Sequence, residues 1–218
     1  MHVLFDVNGT ITDPAGLGEA WGRPELGARI LRCAVESAMT DTIVGVHRPL
    51  GEHLRGALTL EAARSGLDAA LVDEAAERAT RLSPWPDARE ALDLLADAGV
   101  TVAALTNSGA EAGRATLERA GLLDRFDHVL GVEAVEVFKP HPRTYTHAVS
   151  HLGGRPEGIV LVAAHGWDVA GAAHAGLRTG FVTRTEGALS PMVPAPDFET
   201  PDLLAMARAV VEDGVTAG

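Results

Sequence analysis

Short apolar runs alternate along this chain with stretches whose apolar residues recur at helical spacing. HVLF (2–5), VTVAALT (100–106), DHVLGV (127–132), GIVLVAA (158–164) and RTGFVT (178–183) read as strands. They lack clean in–out alternation, as strands buried on both faces of a parallel sheet do. PDAREALDLLADAG (86–99) carries apolar residues at 88, 91, 92, 95 and 98, one face of a helix, and Gly99 stands where a C-cap belongs. GAEAGRATLERAG (109–121) ends the same way on Gly121, while HPRTYTHAVSHLG (141–153) and DVAGAAHAG (168–176) fill the later gaps. TPDLLAMARAVVEDG (200–214) reads as a last helix, with Thr200 as N-cap and Pro201 in its first turn. This alternation predicts an α/β fold: a doubly wound, Rossmann-like parallel sheet with right-handed crossovers.

One segment breaks the rhythm. From 15 to 84 no strand is apparent, and PELGARILRCAVESAM, GEHLRGALTLEAARSG and DAALVDEAAERATRL all read as helices. The expected organisation is a core made of 1–14 and 85–218 with a helical cap, 15–84, inserted after the first strand; Pro84 and Pro86 mark the return. Ligands of open α/β sheets bind outside the carboxyl ends of the strands. A cap inserted there would lie over that edge and exclude water.

Composition narrows the picture. The chain has 218 residues, enough for one large domain or a core with an insertion. Hydrophobic residues make up 46% but aromatics only 4%, so aliphatic side chains must fill the core. A net charge of −12 argues against nucleic acid or an anionic membrane as partner, since both demand basic surface. The single Cys33 allows no intrachain disulfide, which suits a reducing cytoplasm. The N-terminus shows no signal pattern, and no apolar stretch approaches the roughly 20 residues that span a bilayer.

The chemistry-bearing residues gather at strand ends. Asp6 ends the first strand, LTNSG (105–109) the second, Lys139 follows the third in VFKPHPRTY, and AAHGWD (163–168) ends the fourth. Each has a plain reading: Asp6 as a turn residue, Lys139 as a solvated lysine, Thr106, Asn107 and Ser108 as a helix cap, His165 as a surface histidine and Asp168 as an N-cap. Together those readings weaken, because four strands deliver a carboxylate, a cation, hydroxyl and amide donors, an imidazole and a second carboxylate to one edge. That is a nucleophile with its supports.

The order of FDVNGT, LTNSG, FKPHPRTY and AAHGWDVAGAAHAGLRTGFV resembles the haloacid dehalogenase-like superfamily, and within it the type II 2-haloacid dehalogenases. The resemblance covers about 1–13 and 84–185; the cap matches in position and helical character. It implies Asp6 as nucleophile, Thr10 supporting its loop, and Thr106 and Asn107 holding the substrate carboxylate or leaving group. It implies Lys139 neutralising the nucleophile, Tyr145 lining the site, and Asp168 positioning Lys139 and the hydrolytic water. Backbone N–H groups of Val7 and Asn8, after Asp6, would hold anions together with that of Asn107. A cap arginine holds the halide in the family; Arg29 and Arg32 lie in that region, and Arg32 is the candidate. The superfamily's phosphatases carry a second Asp two residues after the nucleophile and pair two acids in the fourth motif to hold magnesium. Here those places are Asn8 and Ala164. A halide leaving group needs no proton, so these losses favour metal-free displacement at carbon. The better-known dehalogenases have Tyr at the place of Asn8, Ser at that of Ala163 and Asn at that of His165. His165 is left with three roles: activating water, binding the leaving group, or a hydrogen-bonded spacer.

The expected function is hydrolytic dehalogenation of a small 2-haloacid to the 2-hydroxy acid through an Asp6 ester. No metal or cofactor is expected. The expected partner is a small anionic organic substrate, and a homodimer is compatible with the sequence. The rivals are a magnesium-dependent phosphatase and a non-catalytic relative that keeps the fold.

Overall fold

The computed structural model describes residues 1–216, with side chains up to residue 214. The strands β1 (His2–Phe5), β2 (Thr101–Thr106), β3 (His128–Gly131), β4 (Ile159–Ala163), β5 (Arg178–Val182) and β6 (Phe198–Thr200) form one parallel sheet in the order β3–β2–β1–β4–β5–β6. The apolar runs lack alternation because the sheet has a core on each face. Val3 and Phe5 of β1 pack into one apolar cluster with Val102, Ala104, Val160 and Val162; Leu4 packs into the other with Ala103, Leu105 and Leu161. The helices α4 (Ala88–Asp97), α5 (Ala110–Arg119) and α8 (Leu203–Thr216) serve the first cluster. The helices α6 (Pro142–Leu152) and α7 (Gly166–His174) serve the second. Gly99 and Gly121 follow the ends of α4 and α5, as their spacing predicts.

Two boundaries differ from the sequence reading. Phe198–Thr200 forms a sixth strand on β5, so Thr200 is a strand end rather than a helix cap. The last helix begins at Leu203, where Asp202 Oδ1 accepts from Ala205 N–H (2.7 Å) and Asp87 Oδ2 from Leu203 N–H (2.7 Å). Similarly, α7 starts at Gly166, which puts Asp168 inside its first turn instead of at its cap.

Between β1 and α4 lie α1 (Gly27–Val44), α2 (Leu50–Ser65) and α3 (Val72–Arg78), with short 3₁₀ turns before α1, between α2 and α3, and after α3. They share an apolar core that includes Ile30, Ala34, Leu58, Ala62 and Ala75. The outgoing and returning chains run side by side: Asp13 N–H donates to Ser83 O (2.8 Å) and Trp85 N–H to Ile11 O (2.9 Å). Among the described residues no helix is long and apolar enough to cross a membrane.

In this strand order the chain switches direction beside β1: β2 and β3 lie on one side, and β4, β5 and β6 on the other. Phe5 is level with Ala104 on β2 and Val162 on β4. The residue after Phe5 therefore emerges at the topological switch point, where such sheets bind ligands.

Candidate active site

That residue is Asp6. Its N–H still donates to Val162 O (3.0 Å), and then the chain turns sharply, with N–H groups of Thr10, Ile11 and Thr12 converging on Val7 O (3.3, 2.9 and 3.1 Å). Gly9 has φ of +90°, and a Cβ there would come within 2.5 Å of His165 Nε2. Glycine is the residue that adopts this φ without strain and leaves room for the imidazole. The turn leaves Asp6 4% exposed at the strand end.

Lys139 reaches Asp6 from the loop after β3 and is fully buried. Its Nζ donates to Asp6 Oδ1 (2.8 Å), Leu105 O (2.8 Å) and Asp168 Oδ2 (2.7 Å). An ammonium has three donors, and all three are used. Such complete pairing is what makes a buried charge tolerable. Thr10 Oγ1 donates to Asp6 Oδ2 (2.6 Å) and accepts from Ala164 N–H (2.9 Å), tying the β1 turn to the end of β4. Tyr145 Oη donates to Asp168 Oδ1 (2.6 Å). Asn107 Oδ1 accepts from Lys139 N–H (2.8 Å), while its buried Nδ2 has no hydrogen-bond partner. Thr106 Oγ1 accepts from Ser108 N–H (3.1 Å) and so shapes the turn rather than facing Asp6.

His165 lies on the other side of the nucleophile. Its Nε2 is 3.1 Å from Asn8 O and 3.9 Å from Asp6 Oδ2, its Nδ1 is 3.4 Å from Glu186 Oε1, and its ring stacks on Trp167 at 5.4 Å. Lys139 Nζ lies 5.6 Å from the centroid of the same indole.

These charges set one another. Burial favours a neutral Asp6, but the charges of Lys139 and His165, with hydrogen bonds from Lys139 and Thr10, hold its carboxyl below the usual range. Burial opposes the Lys139 ammonium, and Asp168 and Asp6 outweigh it, so its pKa is raised. Burial and the neighbouring Asp6 charge push Asp168 up, against Lys139. Burial, with the Asp168 carboxylate, also lifts the Tyr145 phenol well above its ordinary value, so it stays a donor.

The remaining candidates fall outside this cluster. The Val7 side chain is buried in the sheet core, leaving its main chain to face the turn. Asn8 lines a mostly apolar cleft of about 480 Å³ between the inserted helices and α5, with Leu31, Leu82 and Ser108. Arg32 is exposed, 3.9 Å from Glu36, and borders a hollow of about 290 Å³ with His165, Trp167 and Glu186. Arg29 is committed to Glu61. Tyr145 stands behind Asp168 and is wholly buried, so its hydroxyl acts on the carboxylate and not on the open face.

The inserted helices also grip the lysine loop. Phe138 N–H donates to Thr42 Oγ1 at the end of α1 (3.0 Å), His47 stacks on the Phe138 ring (5.2 Å), and His53 meets it edge-on (5.5 Å). Sequence reasoning missed Trp167 and Glu186. Glu186 lies in TRTEG just past β5, so the rule that singled out the other strand ends applied to it too.

A parallel sheet with a buried Asp–Lys–Asp chain at its switch point defines a class of hydrolase. Residues 1–176 match the haloacid dehalogenase-like hydrolase family, and the chain belongs to it. Its relatives include the (S)-2-haloacid dehalogenase of Pseudomonas sp. (strain YL), 36% identical over 132 residues, which are 61% of this chain and 55% of that enzyme. The chain thus spans little more than half the length of that relative. The (S)-2-haloacid dehalogenase of Xanthobacter autotrophicus is 32% identical over 84% of this chain and 74% of its own length. The structure of the L-2-haloacid dehalogenase from Xanthobacter autotrophicus with chloropropionic acid covalently bound matches at a TM-score of 0.86 and 28% identity, covering 96% of this chain and 97% of that one.

Proposed function

We propose that this protein hydrolyses the carbon–halogen bond of a small 2-haloacid, with Asp6 as nucleophile and residues 15–84 as the cap over the site. A carboxylate oxygen of Asp6 attacks the halogen-bearing carbon; the carbon–halogen bond breaks and the halide leaves with the electron pair. The product of this step is an ester on Asp6. Water then adds to the Asp6 carbonyl carbon, its proton passing to Asp168, whose burial makes it a better acceptor than an exposed carboxylate. The acyl–oxygen bond breaks, the alkoxide takes up a proton, and the 2-hydroxy acid departs. Lys139 keeps Asp6 ionised and offsets its repulsion of an anionic substrate. Asn107, with its unpaired buried Nδ2, offers a donor for the substrate carboxylate or the halide. Arg32 is placed to draw anions towards the hollow beside His165.

The observation that carries this reading is the fate of the four carboxylate oxygens. Those of Asp6 and Asp168 all accept from protein donors: Lys139, Thr10, Lys139 again and Tyr145. Mg²⁺ wants an octahedral oxygen shell. Ala164 brings no ligand, and among the described residues no group of three His, Cys, Asp or Glu could hold a metal. The donor set does not fit magnesium. Halide release is therefore expected to survive exhaustive chelation by EDTA; if EDTA abolishes turnover and Mg²⁺ restores it, the phosphatase reading takes over.

The decisive experiment follows one oxygen atom. A single turnover in ¹⁸O-water with enzyme in excess should give unlabelled hydroxy acid and a labelled Asp6 peptide. Direct attack of water on the substrate would label the product instead. A phosphatase given a phosphate ester would put the label into inorganic phosphate.

A further inference from the structure

We infer that Glu186 is a positioning residue that holds His165 as an imidazolium facing Asp6, so that His165 acts as a second cation beside the nucleophile and not as the base that activates water. Its kinetic consequences rest on the proposed dehalogenation; the charge state of the ring does not.

Both ring nitrogens face groups that can only accept. Nε2 is 3.1 Å from the Asn8 carbonyl, which has no proton to give. Nδ1 is 3.4 Å from Glu186 Oε1, while Glu186 Oε2 accepts from Gly166 N–H at the start of α7 (3.0 Å). A neutral imidazole carries one N–H and would leave one of these contacts as acceptor against acceptor. The ring has little freedom to turn away: it lies 10° from parallel to Trp167, and Gly9 leaves room for it with nothing to spare.

Charges of both signs surround the ring. Asp6 comes from the β1 turn, Glu186 from the loop after β5, and Asp168 from α7 itself. Lys139 lies over the indole on which His165 stacks. Glu25, Arg29 and Arg32 border the adjoining hollow from the inserted segment. Burial opposes the imidazolium, but Glu186, Asp6 and the Asn8 carbonyl outweigh it and raise the His165 pKa above its ordinary value. Burial would raise Glu186 as well, yet His165 and the Gly166 N–H hold it low, so it remains an acceptor. A ring already carrying both protons cannot take one from water. Its use is electrostatic: it adds positive charge 3.9 Å from Asp6 Oδ2, where an anionic substrate must approach.

The test begins with ¹⁵N NMR of protein labelled at histidine, with the His165 signals assigned by their loss in H165A. At pH 7 both ring nitrogens of His165 should resonate as imidazolium. In E186Q the amide keeps an acceptor for Gly166 and offers an N–H to Nδ1, so the neutral ring is favoured. Its titration midpoint should then fall by about one unit or more. E186D should recover part of that shift. Two neutral-ring signatures in the wild type at pH 7, or an unchanged midpoint in E186Q, would overturn the inference. These readings need no substrate, so they stand apart from any failure on haloacids. With 2-chloropropionate, the alkaline limb of kcat/KM should move to lower pH in E186Q, costing about 10-fold at pH 8. H165A should show no build-up of Asp6 ester by intact-protein mass spectrometry, because alkylation slows at least as much as hydrolysis. Accumulated ester would make His165 the base and sink the inference.

Discussion

Asp6→Asn is expected to abolish halide release, by about 10⁴-fold or more, while the protein stays folded. The amide has nearly the shape of the carboxylate, so Lys139 keeps an acceptor at the Oδ1 position and the β1 turn keeps its backbone bonds. An amide cannot form the ester on which the proposed reaction depends. The variant also removes one of two carboxylates that share a single ammonium, leaving Lys139 paired with Asp168. Its circular dichroism and melting temperature should therefore stay close to wild type. Halide release above about 1% of the wild-type rate would place the nucleophile elsewhere.

Lys139→Met should damage both activity and stability. Methionine has a similar length and no charge, so Asp6 and Asp168 would face each other with nothing between them. Breaking a buried pair by removing one partner costs about 3–5 kcal/mol, and turnover should fall by about 10³-fold, as for a charge that orients and ionises a nucleophile. The contribution of Asp6 to the pH dependence of stability should also change sign. In the wild type Asp6 titrates below its unfolded value, so its contribution is present above about pH 4 and is lost as pH falls through the lower folded pKa. Without the ammonium, burial and mutual repulsion would raise the carboxyls, and the variant would weaken as pH rises. Melting temperatures from pH 2 to 8 distinguish the two: the gap between variant and wild type should widen as pH rises. A variant with wild-type turnover, or one whose melting temperature runs parallel to the wild type's across that range, would remove Lys139 from this role.

Much of this was legible from the residues. The five long apolar runs became β1 to β5 because burial on both faces leaves a signature that is hard to imitate. Asp6, Asn107, Lys139, His165 and Asp168 were found by one rule, that strand ends in such sheets converge. β6 was not legible: its three residues, Phe198, Glu199 and Thr200, carry no apolar run, and the edge of β5 fixes them. Nor was the placing of Tyr145. Its position in the sequence allows it to line an opening or to stand behind one, and the Asp168 carboxylate decides. Glu186 escaped because a lone Glu in a loop after a strand looks solvated until an imidazole is put beside it. Arg32 shows the opposite limit: region and charge were visible, but whether its side chain reaches the nucleophile depends on helix orientation.

Phe138 is fastened to Thr42, His47 and His53 of the inserted segment, and its neighbour in the chain is Lys139. The inserted segment and the charge carrier are thus linked across a single peptide bond. Breaking these contacts would loosen the segment whose ammonium stands between Asp6 and Asp168. In the proposed reaction, disturbing that segment would cost more while Asp6 and Asp168 are both ionised than after Asp6 is esterified and one of the two charges is gone.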